Sequence, residues 1–361
     1  MSRKLLAVSA TASLIGSVAM AEAPRVAVDI APVHSLVARV MEGVGAPALI
    51  VPPGASPHEY SLRPSEAQAL QDADLVFWMG EDLTPWMAGA VATLAKGAQI
   101  TTLLESEGTT LLEFREGALF EAHDHGHDAH DEDEHSHDDH AHKDEHDHEE
   151  HASEKDHDHD HDEHAHDATK EHDHDDHAHD DHAQDDHGHA HGAHDPHAWL
   201  SLDNADSWLN LIAAQLSATD PDNAGVYFAN AATAREEMAA LKTEVSGLLD
   251  PVRGGSFIVF HDAYQYFETT FAFSASGAIS LSDATDPSPA RVAEIQGRIR
   301  AEGIDCVLAE PQFNAGLVET VLDGTEANTG VIDPLGATLE PGSNLYPQLI
   351  RKMAKTLAAC L

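Results

Sequence analysis

Between positions 121 and 195 the chain becomes a string of histidines and acids. Twenty-five of its 29 histidines lie between His123 and His194. They come in units such as His123-Asp124-His125 (with His127 next), His157-Asp158-His159-Asp160-His161, and His187-Gly188-His189 (with His191 next). The same stretch holds 30 acidic residues and three lysines. Almost no apolar residue larger than alanine occurs between Phe120 and Trp199. Such a segment cannot bury enough surface to offset its ordering entropy, so it is expected to be a disordered insertion. The folded body must therefore be built from the pieces on either side. Neutral imidazole is the commonest protein metal ligand and suits zinc, copper and nickel. Many imidazoles on a flexible chain make many weak, interchangeable sites, with His123, His125, His127, His157, His159, His161, His187, His189 and His191 as secondary low-affinity ligands. The bland alternative is a solvated charged linker, but Asp and Glu alone would serve that purpose.

Outside the insertion the chain is acidic but not extreme, and the whole carries a formal charge of −45. That balance excludes a nucleic-acid partner, which needs a basic footprint. Two cysteines exclude a disulfide-rich scaffold and a Cys-based zinc finger. Residues 1–21 have the pattern of a cleavable secretory signal. Arg3 and Lys4 precede an apolar run from Leu5 to Val18, and Ala19-Met20-Ala21 offers a small–x–small cleavage site. Ala21-Glu22-Ala23 is a second cleavage candidate. No later run reaches the roughly 18 apolar residues of a membrane span. The expectation is an exported, monomeric protein of the periplasm, where thiols are oxidised. Cys306, at a strand start, and Cys360, near the C-terminus, should then form a disulfide.

The body alternates short apolar runs with helical patterns. Arg25–Ile30, Ala48–Val51 and Leu75–Trp78 read as strands, and Val33–Met41 and Pro64–Ala73 as helices. Later strands are expected at Phe257–Phe260, Ala278–Leu281, Cys306–Ala309 and Gly330–Ile332. The helices between and after them are Ala263–Thr270, Pro289–Ala301, Leu317–Asp323 and Leu345–Ala359. Strand-then-helix repetition predicts an α/β fold with mostly parallel sheets. From Asp220 to Leu249 the sequence is Ala-, Glu-, Leu- and Met-rich, with Asp220-Pro221 as a helix start and Asp250-Pro251 as its stop. The reading is two similar lobes, 24–219 and 251–361, joined by one long rigid helix over 220–250.

Four histidines lie outside the insertion. His34 falls inside a predicted helix and reads as structural. His58 follows a strand in Ala55-Ser56-Pro57-His58-Glu59. His197 follows the insertion in Asp195-Pro196-His197. His261 directly follows a strand in Phe260-His261-Asp262, and Asp333 follows one in Ile332-Asp333-Pro334. Ligands of open α/β sheets gather beyond the carboxyl ends of strands. Three histidines and one oxygen are a common tetrahedral zinc set, whereas manganese prefers oxygen-rich shells. No HExxH pairing accompanies them. Asp262 and Glu59 neighbour the histidines, so a catalytic base stays open at this level.

Five stretches resemble one family when taken in order: ASPHEYSLRPS at 55–65, DPHAWLS at 195–201, HDAYQYFE at 261–268, AEPQF at 309–313 and DPLG at 333–336. The chain resembles the periplasmic zinc-binding proteins of zinc ABC importers, the ZnuA-type solute-binding proteins, over essentially its whole mature length. That family also carries a His/Asp-rich insertion before its DPH motif. The resemblance implies two α/β lobes with metal between them, held by His58, His197 and His261. Asp333, Glu59 or a water would complete the shell. Some relatives have an acidic residue just before the first histidine; here it is Pro57. The implied cargo is Zn2+, and the implied partner is an inner-membrane permease with its cytoplasmic ATPase. No enzyme activity is implied. Alternatives are a periplasmic zinc buffer or metallochaperone, or a manganese-importing relative.

Overall fold

A computed structural model describes residues 23–115, 120, 194–280 and 287–361. The expected signal segment, and the insertion apart from His194 and Asp195, lie outside the described residues.

The body holds two parallel sheets built by the same recipe. The first uses β1 (Val26–Val28), β2 (Ala48–Leu49), β3 (Leu75–Trp78) and β4 (Gln99–Thr102), in the order β2-β1-β3-β4. Its crossover helices are α1 (Ala31–Val40), α2 (Pro64–Asp72) and α3 (Pro85–Leu94), each with a proline in its first turn. Proline there has no N–H to lose to an unpaired helix start. Two further helices follow, α4 (Leu202–Thr219) and α5 (Ala224–Leu249). The second sheet uses β5 (Phe257–His261), β6 (Gly277–Ser280), β7 (Cys306–Ala309) and β8 (Asn328–Val331), in the order β6-β5-β7-β8. Its helices are α6 (Gln265–Phe271), α7 (Pro289–Glu302) and α8 (Ala315–Leu322), and α9 (Leu345–Cys360) closes the chain. Every pairing in both sheets is parallel. Each sheet reverses its winding between its two inner strands, which opens a crevice at their carboxyl ends.

The inner strands are apolar on both faces, as strands covered by helices on each side must be. Val26 and Val28 point into a core that also takes Phe257, Val259, Cys306 and Leu308 of the second sheet. Ala27 and Val76 face a separate cluster with Leu70, Met87 and Val91. Ile258 and Val307 face a third with Ile295, Ile299 and Val321. The shared core is organised by α5, which buries Tyr227, Ala231, Ala234, Met238, Leu241, Val245 and Leu249 at spacings of three and four. It packs against α1, α4 and α9, and so touches elements attached to both sheets. Its 26 residues span about 39 Å at 1.5 Å per residue.

The expected start of this helix needs correcting. Asp220 does not cap it. The side chain of Asp220 instead accepts from the Asn223 amide at 2.7 Å and the Tyr227 hydroxyl at 2.8 Å. Pro221–Asn223 form a separate 3₁₀ turn, and α5 proper begins at Ala224. Helices α3 and α4 and strand β4 were not anticipated from the sequence. The cysteines behave as expected: Cys306 at the start of β7 is bonded to Cys360 at the end of α9, with Cα atoms 5.6 Å apart. None of the described helices is long and apolar enough to cross a membrane.

Candidate metal site

His261 is the last residue of β5, on the inner strand beside the crevice of the second sheet. His58 lies in the loop after β2, where the Trp86 indole donates to the Pro57 carbonyl at 2.7 Å and fixes the loop's course. His197 precedes the short turn Ala198–Leu200 that leads into α4. The three rings line one small cleft together with Trp199, Glu310 and Phe313. The His197 ring centroid lies 5.5 Å from that of His58 and 5.4 Å from that of His261. A tetrahedral zinc about 2 Å from each imidazole nitrogen places ring centroids roughly 5 Å apart, so the spacing has the right scale. As the side chains stand, no three His, Cys, Asp or Glu among the described residues form a group able to hold an ion.

Two of the rings are oriented by buried carboxylates. Asp195 Oδ1 lies 2.7 Å from His197 Nδ1 and also accepts the His197 backbone N–H at 2.9 Å. Glu310 Oε1 lies 2.7 Å from His261 Nδ1. A carboxylate on Nδ1 fixes the tautomer that protonates that nitrogen and assigns metal binding to Nε2. It also makes the ring a stronger donor to a cation. Burial pushes the Asp195 carboxyl up to about 6, against the pull of the His197 N–H. Neither Asp195 nor Glu310 was singled out from the sequence, although both lie within motifs recognised there. The Asp195 signal was local, a carboxylate two residues before a histidine. Glu310 is 49 residues from the ring it serves and becomes visible only when β5 and β7 pair.

Asp333 follows β8 and is 3% exposed. Its Oδ1 accepts from the N–H groups of Leu335 and Gly336, at 3.1 and 2.8 Å. Its Oδ2 is buried without a hydrogen-bond partner among the described residues. An orphaned carboxylate oxygen is costly unless something cationic meets it, which suits an oxygen ligand. The neighbouring loop is tied to the His197 segment by the Trp199 indole, which donates to the Pro334 carbonyl at 2.8 Å. Glu59 is exposed. Asp262 is bound by the Arg115 guanidinium, which also pairs with Glu268, so it is not placed as a general base. Tyr264 is no base either: burial and the adjacent Glu310 push its phenol well above the usual range. His34 is buried in α1 with Nε2 3.0 Å from the Pro47 carbonyl, and burial lowers its pKa, as a structural histidine requires. The nine secondary histidines lie outside the described residues.

Comparison with known proteins gives a consistent result. The family model described as "Zinc-uptake complex component A periplasmic" matches residues 26–360. The high-affinity zinc uptake system protein ZnuA of Brucella abortus is 43% identical over 356 residues, covering 99% of this chain and 97% of that protein. Its namesake from Paracoccus denitrificans is 40% identical, covering 97% of this chain and 96% of that one. Among solved structures, a ZnuA deletion mutant with zinc bound superimposes with a TM-score of 0.64 at 18% identity. The superposition covers 94% of this chain and 98% of the other, a match of fold.

Proposed function

We propose that this chain, which belongs to the ZnuA family of periplasmic zinc-uptake components, captures Zn2+ on His58, His197 and His261, with Asp333 as the oxygen ligand, and hands it to a membrane permease. The family is a solute-binding component of a transporter and not an enzyme. The observation that carries the ligand assignment is the pair of His–carboxylate contacts, Asp195–His197 and Glu310–His261, on rings that share one cleft. Three imidazoles and one carboxylate oxygen suit zinc's tetrahedral preference better than the oxygen-rich shell of manganese. On this reading 24–219 and 251–361 act as two lobes with α5 between them, and residues 1–21 are the export signal.

The insertion serves as a low-affinity zinc collector. Bringing two or three imidazoles together around each ion costs entropy that subtracts from the bond energy. Its carboxylates draw in divalent cations at long range, and its end at His194 tethers loosely held zinc beside His197. A loaded insertion that signals to the permease is the second role open to it.

The decisive experiment replaces His58, His197 and His261 by Ala, one at a time, in a variant lacking 121–194, and measures zinc affinity by chelator competition. A structural zinc site is worth on the order of 10–16 kcal/mol, so one of four bonds carries about 3 kcal/mol and each variant should bind over a hundredfold more weakly. Wild-type affinity in all three would overturn the ligand assignment. Calorimetric titration of the full and shortened chains tests the insertion. Several weak ions lost with the segment support the collector, and a single zinc in both chains reduces it to a solvated linker.

A further inference from the structure

The two ends of the insertion meet at one corner of the fold. Before it come Leu112, Glu113 and Arg115; His194 and Asp195 are its last two residues. Glu113 and His194 form an isolated antiparallel bridge, and the Asp195 N–H donates to the Leu112 carbonyl at 2.8 Å. Both strands of this neck are then fastened to the first turn of α6. The Tyr266 hydroxyl accepts the Leu112 N–H at 2.9 Å and donates to the Asp195 carbonyl at 2.9 Å, so one oxygen bridges the neck. The Gln265 amide, in the orientation its surroundings demand, donates to Asp195 Oδ2 at 3.2 Å and to the Glu113 carbonyl at 3.1 Å. Arg115 adds ion pairs to Asp262 and Glu268 from the same side, with its guanidinium over the Phe120 ring.

These contacts converge on Asp195. Its Oδ1 orients His197, its Oδ2 is held by Gln265, and its carbonyl by Tyr266. Helix α6 itself starts four residues after His261. We propose that Gln265 and Tyr266 are positioning residues for the metal site: acting through Asp195, they lock His197 at its spacing from His261. The proposal rests on the reading of His197 and His261 as zinc ligands. Without the lock, Asp195 would lose two of its anchors and the His197 ring part of its orientation. The bound ion would then sample poorer geometry and leave faster.

Tyr266→Phe removes only the bridging hydroxyl, and Gln265→Ala removes only the half-buried amide. Both are made in the full chain, loaded with one equivalent of Zn2+, and chased with excess chelator to read the release rate. One equivalent of Co2+ in place of zinc gives a visible spectrum that reports ligand geometry. The expected result is release up to ~10-fold faster, the equivalent of one or two hydrogen bonds, with shifted cobalt bands and a metal-free melting temperature close to wild type. Wild-type release and spectrum in both variants overturn the proposal, including the case in which only the melting temperature falls. Should Tyr266→Phe fold poorly, Gln265→Ala decides alone. His197→Ala is run alongside: wild-type zinc binding there would instead overturn the ligand assignment on which the proposal rests.

Discussion

β1, an inner strand of the first sheet, ends at Val28 with Asp29 next; β5, its counterpart in the second sheet, ends at His261, one position further on by register. Both reach sideways to the chain leaving the neighbouring inner strand. Asp29 Oδ2 accepts the Met79 N–H at 2.6 Å, and its Oδ1 accepts the Ile30 N–H at 2.7 Å. His261 Nδ1 instead meets the Glu310 carboxylate. In the first sheet a short carboxylate satisfies two backbone N–H groups and is fully buried. In the second, the His261 ring gives its Nδ1 to the Glu310 carboxylate. Two sheets of the same strand order thus carry different chemistry near the carboxyl ends of corresponding inner strands.

The contrast can be tested by breaking each half. The largest stability effect should come from the staple that only the second sheet has. Cys360→Ser opens a loop closed over 54 residues and should cost about 4 kcal/mol in denaturant titration without reductant, by chain-entropy reasoning. Zinc affinity should hardly move; a large loss would tie the staple to the site. Next, Glu310→Gln keeps an acceptor for His261 but removes the charge. Zinc binding should weaken by roughly 10- to 100-fold, the usual effect of losing such a partner. No change would mean that His261 is not oriented for a cation.

The smallest effect near neutral pH is expected at Asp29. Burial pushes its carboxyl up to about 7. Between about pH 4 and 7 the unfolded chain releases this proton and the folded chain keeps it. The group's contribution therefore falls as pH rises, by at most roughly 4 kcal/mol across that window. Asp29→Asn should flatten that slope in urea titrations at pH 5 and pH 7. Its amide turns an N–H toward a backbone N–H, so near pH 7 the loss and the relief should nearly cancel, leaving about 1 kcal/mol either way. Zinc binding should be untouched. An unchanged pH slope would mean that Asp29 is charged in the fold.

Much of this was legible in the sequence, for physical reasons. Strands such as Leu75–Trp78 announce themselves as apolar runs between polar turns, because both faces are covered. Helix α3 did not: Pro-Trp-Met-Ala-Gly-Ala-Val-Ala-Thr-Leu is nearly uniform in polarity and has no periodic stripe to read. Asp220-Pro221 has the chemistry of a helix start, yet Tyr227 and Asn223 compete for the same carboxylate and win. The site histidines stood out because only four lie outside the insertion and three follow strands or motifs. Their carboxylate partners escaped notice, since Asp and Glu are common and the contact with Glu310 is made by strand pairing. The neck clamp was invisible for the same reason. Leu112 and Asp195 are 83 positions apart, and the residue that joins them lies on a third segment.

The core organised by α5 has a consequence for how cargo leaves. Because one continuous apolar mass includes side chains from both sheets, swinging the halves apart would wet it, at roughly 25 cal/mol for each Å² exposed. That cost opposes wide gaping, a vault more than a jaw. An ion held on the proposed ligands would then leave by distorting the loops that carry Pro57–His58 and Asp333–Pro334. A docking partner that grips those loops would then act as a release factor, setting the off-rate by contact at the surface while the spine behind stays still.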